Sequence, residues 1–131
     1  MLKIITFGEK KMPKSKPNVF KQKCPSREVI SKLSGKWTIL ILSLLKENPR
    51  RFNEIKREIE GISQKVLTEN LRNLERDGLI LRKVHTQRPL RVVYSTTKNS
   101  KKLLDILKSL TKWAENNWKS ILNNNQIHDN Q

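Results

Sequence analysis

The chain has 131 residues, with 28 Lys and Arg against 12 Asp and Glu, which gives a formal net charge of +16. This length suits one small domain with tails. The charge favours a polyanionic partner, with nucleic acid ahead of an anionic membrane surface. No apolar run approaches the roughly 20 residues of a membrane-spanning helix, and Leu2 to Phe7, interrupted by Lys3, is too short for a secretion signal. We therefore expect a cytoplasmic protein without a membrane partner.

Cysteine and histidine usage argues against metal and catalytic chemistry. The single cysteine, Cys24, has no partner for an internal disulfide, and Cys and His are not clustered as a structural zinc site requires. No nucleophile, base and orienting group follow one another in a recognisable order. We expect no metal, no cofactor and no enzymatic activity.

Residues 1–23 contain seven lysines and one acid, Glu9, with few apolar residues after Phe7. Such a segment cannot form a core alone, so we predict a flexible basic arm. It is either a solvated tail or an arm that touches phosphates or a partner subunit.

Two helices are predicted next. Val29, Ile30 and Leu33 give a short helical pattern from Ser26, which Ser34-Gly35 interrupts. Residues 36–46 are apolar on nearly every side, which predicts a buried central helix whose Trp37 packs in the core. Asn48-Pro49 ends this helix, because proline cannot continue it and restricts the residue before it.

The next stretch predicts a helix over about residues 51–60, a turn at Gly61-Ile62-Ser63, and a second helix that closes at Gly78. Ser63 can cap the first turn of the second helix, and Gly78 can adopt the left-handed conformation that ends it. Leu67, Leu71 and Leu74 form one apolar stripe along this helix. The opposite side then carries amide, hydroxyl and cationic groups suited to base edges and phosphates, namely Gln64, Lys65, Thr68, Glu69 and Arg72.

After Gly78 the apolar period changes to that of a β-hairpin. Residues 79–84 and 92–95 read as its strands, and residues 85–90, with Pro89, read as the turn. Helix-turn-helix followed by a hairpin predicts a winged helix, mainly α with a small β-hairpin wing. The wing is basic, with Arg88 and Arg91 near its tip and Lys83 at its base.

A long amphipathic helix is predicted from about 99 to 123. Its apolar stripe is longer than one small domain can cover, so we predict a dimerisation helix; the alternative is a stripe folded entirely onto its own core. The predicted interface comprises Leu103, Leu107, Leu110, Trp113, Ala114, Trp118 and Ile121. Residues 124–131 are polar and predicted to be disordered. The predicted winged-helix domain thus spans residues 24–123.

With these elements in place, the chain resembles the HxlR family of winged-helix transcription regulators, which are relatives of the MarR group. The resemblance runs from Cys24 to about Ile121 and lies in motifs that occur in the family's order and spacing. They are Cys24-Pro25, Gly35-Lys36-Trp37-Thr38, residues 51–55, Gly61-Ile62-Ser63, residues 67–75, residues 77–80 and Tyr94-Ser95.

The resemblance implies a homodimer that binds a near-palindromic operator in double-stranded DNA, usually as a repressor. We assign base reading to the exposed helix face, phosphate binding to the start of the preceding helix, and minor-groove binding to the wing. The residues so assigned are Gln64, Lys65, Thr68, Arg72, Arg50, Arg51, Asn53, Ser63, Lys83, Arg88 and Arg91. The alternative for the exposed face is a solvated surface in which Arg72 and Arg76 pair with Glu69 and Glu75.

The resemblance also implies that Cys24 senses oxidants or electrophiles. Lys21, Lys23 and Arg27 are near it in sequence, and their charge would lower its pKa. The alternative is an inert small residue, and a small-molecule effector is also compatible with the family.

Two other functions compete with that of a specific regulator. A charge of +16 is enough for nonspecific nucleic-acid packaging or RNA binding without base reading. A winged helix can also serve only as a protein-interaction module.

Overall fold

The computed structural model describes residues 16–131, so most of the predicted basic arm lies outside the described residues. The chain divides into two compact units, and the division falls between Ser34 and Gly35. The sequence predicted one winged-helix domain over residues 24–123, and these bounds stay a prediction.

The first unit contains turns at residues 19–23 and helix α1, Pro25–Leu33. Proline at the first helical position suits α1, because its missing N–H would have no partner there. The Arg27 side chain donates hydrogen bonds to the carbonyls of Val19 (3.1 Å) and Phe20 (3.1 Å), which holds the turns against the start of the helix.

The second unit begins with α2, Lys36–Glu47, which ends where Asn48 becomes extended before Pro49. The helix-turn-helix follows as α3, Phe52–Glu58, and α4, Gln64–Arg76. The wing consists of β2, Ile80–His85, and β3, Arg91–Thr96. A short 3-10 turn, Lys98–Ser100, leads into α5, Lys101–Asp129. The winged-helix architecture predicted from the sequence is confirmed.

The sheet has one strand that the sequence did not reveal. Strand β1, Arg50–Arg51, pairs antiparallel with β3, giving the strand order β1-β3-β2. Arg50 lies opposite Tyr94, and Arg51 lies opposite Val93. A two-residue strand leaves no alternating pattern in the sequence, so only pairing with β3 defines it.

Local signals at both ends of α4 act as predicted. The Ser63 Oγ accepts a hydrogen bond from the Val66 N–H at 3.1 Å. At the other end Gly78 has φ of 75°, and the N–H groups of Gly78 and Leu79 donate to the carbonyls of Glu75 and Leu74, both at 3.0 Å. This pair of bonds is a Schellman motif, which only a residue tolerant of positive φ closes without strain.

The core of the second unit is formed where α2, α3, α4, the sheet and the beginning of α5 meet. Its buried members are Ile41, Leu42, Leu45, Ile55, Ile59, Ile62, Leu67, Leu71, Leu74, Ile80, Tyr94, Leu104 and Leu107. Trp37 is partly buried against this core, consistent with its predicted role.

The last helix is longer than predicted. It continues to Asp129 through the segment that the sequence indicated as a disordered tail. Asn and Gln cost only a few tenths of a kcal/mol each in a helix, and extending an established helix is far easier than starting one. Polarity alone therefore did not mark its end.

Candidate nucleic-acid interface

Helix α4 exposes a polar face because its apolar side packs in the core. Leu67, Leu71 and Leu74 are buried. The side chains predicted for base reading lie outside this buried stripe and are all exposed: Gln64, Lys65, Thr68 and Arg72. Glu69 is also exposed.

Three of these exposed groups have their polar atoms available. Within the described residues, the side chains of Gln64, Lys65 and Arg72 form no hydrogen bond or ion pair, so Arg72 is not paired with Glu69 or Glu75. Thr68 differs, because its hydroxyl donates to the Gln64 carbonyl at 2.8 Å and retains only acceptor capacity. Ser63 similarly uses its oxygen as the cap of α4.

An open groove of about 550 Å³ runs between α4 and the sheet. Gln64, Thr68 and Arg72 line one side, and Arg82 and Tyr94 line the other. Arg82 and Tyr94 are directly paired across β2 and β3, so their side chains lie on the same face of the sheet. The sequence analysis missed Arg82, although alternation with the buried Ile80 two positions earlier could have indicated it.

Three other basic residues of the sheet lie on its opposite face, whereas Arg50, opposite Tyr94, shares the face of Arg82. Arg51 and Lys83 both lie across from Val93, one residue out of phase with Tyr94. Arg91 is paired with His85 on that same outer face. The predicted wing cations are therefore separated from the α4 groove, and Arg88 lies in the exposed turn between the strands.

Arg50 does not fit its predicted role as a phosphate ligand. Its guanidinium donates to the carbonyls of Leu44 (2.9 Å) and Asn48 (2.7 Å) and to the Glu58 carboxylate (3.0 Å), and its side chain is only 11% exposed. Arg50 thus joins the end of α2 to α3, where carbonyls lack helical partners. The Arg51 side chain is 51% exposed, and among the described residues its guanidinium makes one ion pair, a 4.0 Å contact with Glu54.

Asn53 also lies exposed, at the start of α3. With Arg51, Arg57 and Arg91 it borders a second open groove of about 600 Å³. Arg57 was not predicted, because the sequence gives no indication that the end of α3 faces the wing.

Helix α5 divides into a buried beginning and an exposed remainder. Leu104 and Leu107 lie in the core, and Leu103 packs partly against it. Leu103 and Leu107 were predicted as dimer contacts. They instead pack against the core of their own chain, because α5 packs on α2. The remaining predicted contacts are exposed: Leu110, Trp113, Ala114, Trp118 and Ile121.

Cys24 lies at the N-cap position of α1 and is 9% exposed. Burial raises the pKa of its thiol, but the Ser26 hydroxyl and the backbone N–H groups of Ser26, Asn18 and Arg27 together outweigh burial and lower the pKa below its ordinary value. The direction agrees with the sequence prediction. The cause is hydrogen bonding at a helix start, not the neighbouring cations.

Residues 16–131 contain neither a candidate membrane span nor a candidate metal cluster. None of the described helices is both long and apolar enough to cross a membrane. In the same range, no three His, Cys, Asp or Glu side chains come together in a group that could hold a metal ion.

The fold and the polar face of α4 define a winged-helix transcriptional regulator of the helix-turn-helix type. Residues 32–121 match the HxlR-like helix-turn-helix family, and the chain belongs to that family. It is similar to the HTH-type transcriptional regulator YtfH of Escherichia coli (strain K12), at 36% identity over 105 residues, which are 80% of this chain and 83% of the relative.

Solved structures agree with this family. A YtfH transcriptional regulator from Salmonella typhimurium superposes with a TM-score of 0.77 at 33% identity, covering 85% of this chain and 99% of the other. The redox regulator HypR, in its oxidised form, superposes with a TM-score of 0.67 at 35% identity, covering 72% of this chain and 97% of HypR.

Proposed function

We propose that this protein is a homodimeric repressor that binds a near-palindromic operator in double-stranded DNA in the cytoplasm. The observation that carries the proposal is the exposed face of α4, where Gln64, Lys65 and Arg72 have no partner within the described residues. Amide and guanidinium groups of this kind form the paired hydrogen bonds that distinguish bases in the major groove.

The two faces of the sheet suggest different tasks. Arg82 shares the groove with α4 and would add to major-groove binding. Arg51, Lys83 and Arg91, on the outer face, would hold phosphates together with Asn53, while Arg88 at the wing tip would enter a minor groove. Phosphate contacts set affinity and register, and base contacts set sequence preference.

The exposed part of α5 supports the homodimer. Trp113 and Trp118 expose 55% and 53% of their surface, and Ile121 exposes 45%. Several large apolar side chains along one helix favour association, and a second copy supplies a matching surface through two-fold symmetry. Two α4 helices would then enter major grooves about one turn of DNA apart, roughly 34 Å, which requires inverted half-sites.

The test of the proposal is selection from a pool of random duplexes at near-physiological salt. Enrichment of an inverted repeat supports the specific regulator. Equal binding of all duplexes, with a steep loss as salt rises, would favour nonspecific packaging driven by the net charge. Absence of duplex binding even at low salt would favour a protein-interaction module.

We also propose that Cys24 makes operator binding sensitive to oxidants. Its lowered pKa increases the thiolate fraction, and the structurally similar HypR is a redox regulator. Because the chain has one cysteine, the product would be a disulfide with Cys24 of a second chain or with a small thiol. Two thiols would lose two protons and two electrons to an oxidant such as diamide as the sulfur–sulfur bond forms.

The redox proposal is tested by operator binding before and after diamide, with Cys24→Ser as the control. Loss of affinity confined to the protein with the thiol supports sensing, and equal affinity in all four samples contradicts it. Alkylation rates measured over a series of pH values report the pKa of the Cys24 thiol. Since the pKa is lowered, alkylation of Cys24 should reach half its maximal rate at a lower pH in the folded protein than in urea-unfolded protein.

A further inference from the structure

Helix α4 is tied to α2 by a polar contact beside the leucine packing. Thr38, on α2, is only 7% exposed, and its hydroxyl donates to the Asn70 side-chain oxygen at 3.2 Å. The Asn70 amide nitrogen in turn donates to the Val66 carbonyl at 2.8 Å. Both groups of the partly buried amide are therefore occupied, and their positions fix its orientation.

The hydrogen bonds continue into the first turn of α4. Val66, whose carbonyl accepts from Asn70, donates its N–H to the Ser63 cap at 3.1 Å. Gln64 and Lys65 lie within this same turn, and Thr68 is bonded to the Gln64 carbonyl. A continuous set of directional contacts thus connects Thr38 to the turn that carries the proposed base-reading side chains.

Leucine packing alone would not hold this turn so closely. Contacts of Leu67 and Leu71 with the core are apolar and lack the preference for one angle that a hydrogen bond has. Base reading is more demanding, because hydrogen bonds weaken steeply with distance and angle. The Thr38–Asn70 contact supplies direction where the leucines do not.

We propose that Thr38 and Asn70 are positioning residues for sequence discrimination, which touch no base but hold the first turn of α4 in register with the major groove. This inference rests on the proposed function as a specific DNA-binding regulator. It goes further by assigning part of the sequence preference to a contact buried behind the interface.

The experiment measures affinity for the selected operator and for a scrambled duplex of equal length, at one salt concentration and well below the melting temperature of every variant. Thr38→Val removes the hydroxyl and preserves the shape. Thr38→Ser keeps the hydroxyl. Thr111→Val is the matched control, because Thr111 is a partly buried helical threonine whose hydroxyl donates only to Lys108 of its own helix, at 3.0 Å.

Thr38→Val should lower operator affinity by about tenfold, the equivalent of one weakened base contact, and leave affinity for the scrambled duplex unchanged. Thr38→Ser and Thr111→Val should both retain the wild-type ratio. Asn70→Ala should add little loss in a Thr38→Val background, since the two residues act as one unit.

An unchanged ratio in Thr38→Val overturns the inference while leaving the proposed function intact. Equal weakening toward both duplexes also overturns it, because that is the result of a purely structural role. If the wild-type protein itself shows no preferred duplex, the proposed function fails, and the positioning role fails with it.

Discussion

Helices α4 and α5 are both amphipathic, but they place their apolar sides in opposite environments. The leucines of α4 are at most 3% exposed, whereas Trp113, Trp118 and Ile121 of α5 are at least 45% exposed. Helix α4 satisfies its apolar side within the chain and offers a polar surface. Most of α5 instead leaves its apolar side exposed. The same sequence pattern therefore indicates a polar ligand for α4 and an apolar partner for α5, and only burial distinguishes the two.

The largest expected effect comes from the core side of α4. Leu67 is fully buried, so Leu67→Ala should lower the free energy of unfolding by about 2–5 kcal/mol. Urea unfolding at fixed protein concentration measures this. Leu110→Ala, at a half-exposed position of α5, is the control and should cost less at concentrations where chains are separate. Equal losses would remove the distinction between the two helices.

The apolar surface of α5 should matter for association and not for folding of the separate chain. Trp118→Asp should weaken self-association by about 2–4 kcal/mol, since buried tryptophans often dominate interfaces. Sedimentation equilibrium measures the change. Asn116→Asp introduces the same charge on the polar side of α5 and should have no such effect. A monomeric wild-type protein at high concentration would contradict the assignment of this surface.

The polar surface of α4 should control discrimination. Arg72→Ala should cost about 1–3 kcal/mol of binding to the operator and much less to a scrambled duplex. Lys83→Ala, on the outer face of the sheet, should instead weaken both duplexes alike and reduce the salt dependence by about one counterion. Lys119→Ala, on α5, controls for loss of charge. If Arg72→Ala and Lys83→Ala behave identically, the polar face of α4 and the outer face of the sheet have no separate tasks.

The smallest effect is expected at the beginning of α4. Ser63→Ala removes the cap on the Val66 N–H and should destabilise the protein by about 1 kcal/mol, whereas Ser63→Asp should retain most of the stability. Thermal unfolding of the two variants provides the comparison. Equal melting temperatures for Ala and wild type would mean that the serine oxygen contributes nothing to the helix.

The amino-acid sequence alone determined the order of the helices and of the two wing strands, and the ends of α4. Ser63, Gly78 and Asn48-Pro49 act through contacts with residues a few positions away, so their effects can be inferred without knowing the rest of the fold. The apolar periodicities of the helices and strands also depend only on nearby residues. They were enough to predict the winged-helix fold and the polar face of α4.

Tertiary structure decided which of two nearby residues of similar chemistry is buried and which is exposed. Arg50 is bonded to carbonyls and Arg51 is exposed, because pairing of β1 with β3 places them on opposite faces of the sheet. The register of β2 against β3 likewise places Arg82 in the α4 groove. Packing of α5 on α2 buries Leu107 and leaves Leu110 exposed. These outcomes depend on contacts between residues far apart in the chain, and the Thr38–Asn70 contact is of the same kind. A sequence pattern indicates which side of a helix or strand is apolar, but the packing of the elements determines which residues contact that side.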